Sequence, residues 1–119
     1  MTSNDLARRL NAVLPRLAPW HPVQVTGYHL PATAMATVDG ADITVVEDVR
    51  SAVRLDSSWP RVEPYECVVS WQRPGGFPFQ RIYASCDGVD LRDVVVAAMR
   101  HAVPKGGLTK ARVRSLVNR

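Results

Sequence analysis

Asp39-Gly40 stands between two runs of alternating apolar residues, and that pattern leaves the middle of this chain few ways to fold. A two-residue type I′ turn needs positive φ at both central positions, which Asp and Gly tolerate. Folding about it sets Val38 opposite Ala41, Ala36 opposite Ile43 and Ala34 opposite Val45. Those residues share one face, and Met35, Thr37, Asp42 and Thr44 share the other. Turn chemistry and alternation specify the same register. A slip of one residue would put the whole apolar set into water.

A second hairpin is predicted from Tyr65–Arg73 and Phe79–Cys86, joined by Pro-Gly-Gly-Phe-Pro. Cys67, Val69 and Trp71 alternate with Glu66, Val68, Ser70 and Gln72, and Ile82, Ala84 and Cys86 alternate with Arg81, Tyr83 and Ser85. An even number of loop residues brings the two apolar sets together, and that register is expected here. Val23–Leu30 reads as a further strand and Val49–Leu55 as a short helix. Pro19-Trp20-His21-Pro22 and Ser57-Ser58-Trp59-Pro60 read as irregular links, with Trp20 and Trp59 closing the ends of the core.

Helices are expected at both ends. Leu6, Leu10, Val13 and Leu14 recur on one face of a 3.6-residue period, with Ser3 or Asn4 as cap, Asp5 in the first turn and Pro15 as terminator. Asp90 begins a second helix as N-cap, with Asp93 at the reciprocal position and Val89 and Val94 as hydrophobic staple. Leu91, Val94, Val95, Ala98 and Ala102 form its buried stripe, and Pro104 with Gly106-Gly107 ends it. Thr109 caps a last helix that buries Val113, Leu116 and Val117, with Leu108 and Val113 as its staple. The expected fold is α+β: an N-terminal helix, a four- or five-stranded antiparallel sheet built from two hairpins, and two C-terminal helices packed on one face. At 119 residues the chain is sized for one domain, 1–119, around one core.

Charge is divided unevenly. Residues 21–49 carry Asp39, Asp42, Glu47 and Asp48 with no Lys or Arg, whereas residues 105–119 carry Lys105, Lys110, Arg112, Arg114 and Arg119 with no acid. The net charge of +4 is therefore a cationic end more than a basic protein. Such an end is either a solvated helix face that keeps the chain soluble or a surface that meets an anion. Were its guanidinium groups neutralised by the acidic first hairpin, the second reading would fail. Of the cations 13 are Arg and two are Lys, a bias that a GC-rich genome also produces.

Val103–Ala111 resembles the hairpin of the helix-hairpin-helix DNA-binding motif at Gly107 and Ala111. Lys105 stands where that motif has its first glycine and Gly106 where it has a hydrophobic residue, so the stretch reads as a turn between helices. At the second hairpin, Phe77 and Phe79 with Trp71 and Arg73 at the base suit base stacking or a protein anchor, or else fold back over the sheet edge.

Other chemistry finds little footing. His21, His29 and His101 fall on different elements, and no His or Cys pair has zinc-site spacing, so neither metal nor cofactor is expected. Cys67 reads as core, and Cys86 beside Asp87-Gly88 is a poor nucleophile. If register sets these cysteines opposite one another a bond is conceivable, though a reducing compartment favours thiols. The acidic residues read as caps and turn residues, and Gly75-Gly76 as a stiffened loop rather than a phosphate cradle. No apolar run approaches the roughly 20 residues of a membrane helix, and no secretory h-region follows Arg8-Arg9, so a cytoplasmic chain is expected. The first functional expectation is a non-enzymatic binding module that presents Lys105, Lys110, Arg112, Arg114 and Arg119, with Arg73, Phe77 and Phe79, to nucleic acid or an acidic protein surface. The second is an assembly subunit, of the kind found in phage particles, that oligomerises through sheet edges. The third is a small enzyme using His with Cys or Asp.

Overall fold

The computed structural model describes residues 2–23, 31–47, 64–73 and 80–118. In chain order these form α1 (Ser3–Val13), a 3-10 turn (Pro15–Leu17), β1 (His21–Pro22), β2 (Ala32–Val38), β3 (Ala41–Glu47), β4 (Tyr65–Gln72), β5 (Arg81–Gly88), α2 (Leu91–Ala102) and α3 (Lys110–Val117). The strands make one antiparallel five-stranded sheet in sequence order, and the fold is α+β.

The first hairpin has the register that its sequence dictates: Val38 faces Ala41, Ala36 faces Ile43 and Ala34 faces Val45. Asp39 and Gly40 both take positive φ, 51° and 80°. In the second hairpin Trp71 faces Ile82, Val69 faces Ala84 and Cys67 faces Cys86, the even-loop register. The inward positions of β2, β3 and β4 are buried, except Glu47 and Tyr65 at the end of the sheet, which are partly buried. The opposite face is partly exposed, and there Arg81 reaches from β5 to Asp42 (3.0 Å) and to the Ser70 carbonyl and hydroxyl (3.2 Å), spanning three strands.

Helix α1 lies against β1 and β2, where the small residues Ala32, Ala34 and Ala36 let it sit close. Leu6, Leu10, Leu14 and Leu17 are fully buried, each worth about 1.5–3 kcal/mol of transfer free energy. The cap is Thr2, not Ser3 or Asn4: Asp5 N–H donates to Thr2 Oγ1 (3.1 Å) and Thr2 N–H to Asp5 Oδ2 (3.2 Å). Those Thr2 hydrogen bonds hold the Asp5 carboxyl below its ordinary pKa. A depressed folded pKa makes the cap's contribution present above the unfolded carboxylate value and lost as pH falls through the folded one. Ser3 instead accepts from Thr33 N–H (3.0 Å), joining the helix to β2. Val13 was expected on the buried face but is 41% exposed, because the chain turns at Pro15 and Leu14 takes the inward place.

Helix α2 covers β4 and β5. Asp90 caps it, accepting from Asp93 N–H (2.9 Å), and the expected stripe is buried together with Val96 and Met99. Val89 is 68% exposed, so the staple at this end does not form. The last helix, α3, departs from a simple two-layer packing. It rests chiefly on α2 and the 3-10 turn, and so extends the helical layer sideways. Trp20 is buried as expected, and β1 occupies part of the link where no strand was predicted. Most of the expected Val23–Leu30 strand, the Val49–Leu55 helix, Trp59, Phe77 and Phe79 lie outside the described residues.

Candidate anion-binding cleft

The turn after α2 sets the position of α3. Gly106 takes φ of +86°, and the N–H groups of Gly106 and Gly107 donate to the carbonyls of Val103 (3.1 Å) and Ala102 (2.9 Å), which closes the helix end. Gly107 then passes directly over the buried indole of Trp71. Thr109 caps α3, accepting from Arg112 N–H (3.1 Å), and Leu108 and Val113 are both buried as a staple requires. At the far end two arginines donate to α3 carbonyls, Arg16 to Ser115 (2.9 Å) and Arg92 to Val117 (2.7 Å). Late carbonyls of a helix lack intrahelical partners, and cations there are also attracted to the negative end of the dipole. Neither arginine carried any role in the sequence reading, because the partner carbonyls are 99 and 25 residues away.

Once Val113 and Leu116 point inward, the rest of α3 follows from 100° per residue. Arg112 falls on one flank and donates from Nε to Asp39 Oδ2 (3.0 Å) at the tip of the first hairpin. This is the internal neutralisation that would undo the cationic end, and it takes one of its charges. The pair is about half exposed on both sides, and such pairs contribute about 0–1 kcal/mol. On the other flank lie Lys110, Arg114 and Val117. Across from them α2 supplies Arg100 and the turn after it Val103 and Pro104, and together they line a cleft of about 430 Å³. Val113 also lines it, and Asn118 sits at its mouth. Arg100, Lys110 and Arg114 are exposed and make no hydrogen bond or ion pair to any described residue.

The remaining candidates are dispersed. Lys105 donates to the Tyr83 carbonyl (3.0 Å), and His101 Nδ1 lies 3.2 Å from the Ser85 carbonyl. Those carbonyls belong to the outer edge of β5, since Arg73 N–H bonds to Gln80 O and the ladder alternates from there. Lys105 and His101 thus sit over the β5 edge, one of the two edges of the sheet. Arg73 is exposed at the base of the second hairpin, away from the residues that line the cleft. Phe77, Phe79 and Arg119 lie outside the described residues.

The same alternation decides the cysteine question. Cys67 and Cys86 are directly opposite, in a hydrogen-bonded pair of the ladder. Cβ atoms there are about 5.5 Å apart, whereas a disulfide needs about 3.5–4.5 Å. Both thiols are free, and burial, with lesser contributions from Cys86 and Glu66, pushes the Cys67 pKa far up. Exposure of the native protein to a small-molecule disulfide should therefore produce no bond between the two cysteines. Cys67 should react with a chromogenic thiol reagent only after unfolding. An intramolecular bond in the native protein, seen by mass spectrometry, would contradict this geometry.

One polar group was not anticipated. Glu47 and Tyr65 are register partners at the end of β3, and Arg9 reaches the Tyr65 hydroxyl (3.5 Å). Burial first, then the Glu47 charge, raises the Tyr65 pKa. Among the described residues no three His, Cys, Asp or Glu side chains are grouped to hold a metal ion, and no helix is long and apolar enough to cross a membrane. Comparison with protein-family models, with curated proteins and with solved structures finds no match to this chain.

Proposed function

We propose that the chain is a non-enzymatic binding module that takes an anionic partner, nucleic acid or an acidic protein surface, in the cleft between α2 and α3. The observation that carries this reading is the trio Arg100, Lys110 and Arg114, unpaired with any described residue around an apolar floor. Lys110 and Arg114 are four apart, where like charges cost a few tenths of a kcal/mol. Lys110 also opposes the positive end of the helix dipole. Neither cation repays that cost by a contact within the described fold, and an anion in the cleft would. Lys105, Arg112 and Arg73 leave the proposed site on geometric grounds, and Arg100 enters it.

Deleting residues 105–119 is a poor test, because it strips Leu108, Val113 and Leu116 from the core. Paired charge reversals are better. Lys110→Glu with Arg114→Glu should weaken binding to heparin and to mixed-sequence DNA at about 50 mM salt by about tenfold or more. Lys105→Glu with Arg112→Glu changes the net charge equally and should have a much smaller effect. Equal losses from the two variants, each checked by circular dichroism, would mean that only the overall charge matters and would overturn the proposal.

A further inference from the structure

We infer that the occupant of the α2–α3 cleft is an acidic amphipathic segment of another protein, with one or two large apolar side chains flanked by carboxylates. This rests on the reading of the cleft as the binding site and goes on to name the class of partner. The floor is Val103, Pro104, Val113 and Val117, all aliphatic. A phosphate backbone is held by cations and hydrogen-bond donors and has no use for such a floor. Exposed bases do use apolar contact, but they take it from aromatic faces, and among the described residues no aromatic lines this cleft. A volume of about 430 Å³ lies within the usual range of about 300–1,000 Å³ for pockets that enclose apolar groups.

The charges are disposed to match. Arg100 stands on the α2 wall and Lys110 and Arg114 on the α3 wall, so cations flank the apolar strip from both sides. An amphipathic helix laid in the groove would place its apolar residues on the strip and its acids against the rims. Arg100 and Arg114 can each take a carboxylate through two parallel N–H donors, and Lys110 as a point charge. Among the described residues no acid lines the cleft, and Asp39 and Asp42 are paired with Arg112 and Arg81.

The test is fluorescence anisotropy with four labelled probes. The first is a helical peptide of Glu and Leu with Leu on one face. The second is the same composition scrambled, the third has its Leu replaced by Ala, and the fourth is a mixed-sequence DNA duplex. The amphipathic peptide should bind tightest, with about fivefold loss or more for the scrambled and Ala forms. Val117→Ser, at a half-buried floor position, should weaken that peptide about fivefold and leave DNA unaffected. Lys110→Glu with Arg114→Glu should weaken it about tenfold. DNA binding tighter than all three peptides, and lost in the charge-reversal variant, would overturn the inference while leaving the cleft as the binding site. Concentration-dependent self-association lost in the same variant would assign the cleft to a second copy and overturn it too. No response of any probe to the charge reversal would remove both readings together.

Discussion

Gly107→Ala should lower stability by about 1–3 kcal/mol, and Gly107→Val by more. A Cβ at this position would lie 2.5 Å from Cε3 and Cζ3 of Trp71 and 2.7 Å from Cδ2. The indole has no easy retreat, since it is 5% exposed and anchored on β4 in register with Ile82. The turn must move instead, and α3 moves with it. Two readouts follow: a lower urea midpoint at unchanged m-value, and weaker heparin retention because the cleft walls separate. Trp71→Leu in the same chain should relieve the clash, so the double variant should be more stable than the sum of the single changes implies. Strict additivity, or a Gly107→Ala protein of full stability, would show that the turn does not rest on the indole.

Ala34→Leu should destabilise by about 1–3 kcal/mol or more, while Thr44→Leu should stay within about 0.5 kcal/mol. Ala34 is fully buried on the inner face of β2, which α1 covers. Added methylenes there push the helix off its small-residue seat and disturb the Leu6 and Leu10 packing. Thr44 is on β3 next to Ile43, but it points to the partly exposed face. Thermal melts of the two variants compare inner and outer faces of one hairpin. Equal tolerance at both positions would mean that the register or the side covered by α1 is different.

The hairpin at Asp39-Gly40 was legible because everything that specifies it is local. The turn demands positive φ, and the alternation on either side agrees with it over seven residues per strand. The Asp90 and Thr109 caps were legible for the same reason, as each bonds only three residues ahead. Val13 and Val89 were misjudged because periodicity marks a face without saying whether anything packs on it. Thr2 was overlooked as a cap because Ser3 and Asn4 are equally good candidates by residue type. Only the direction of the incoming chain separates them.

The candidate cleft was half legible. Lys110 and Arg114 were found because charge composition shifts abruptly after Pro104. Arg100 was not, since on α2 it looks like an ordinary basic residue near a helix C-terminus. Arg112 looked equivalent to its neighbours until the fold brought Asp39, 73 residues away, beside it.

Turn stereochemistry and side-chain periodicity act between residues a few positions apart, so the two hairpin registers, the three helices and most of their buried stripes follow from the chain alone. That Arg112 meets an acid and that Arg16, Arg92 and Lys105 support a neighbouring carbonyl depends on contacts between residues 22 to 99 positions apart. Hydrogen bonds act within about 3.5 Å and screened Coulomb energies within about 10 Å, so these assignments exist only after the helices have docked, and the tertiary structure alone decided them.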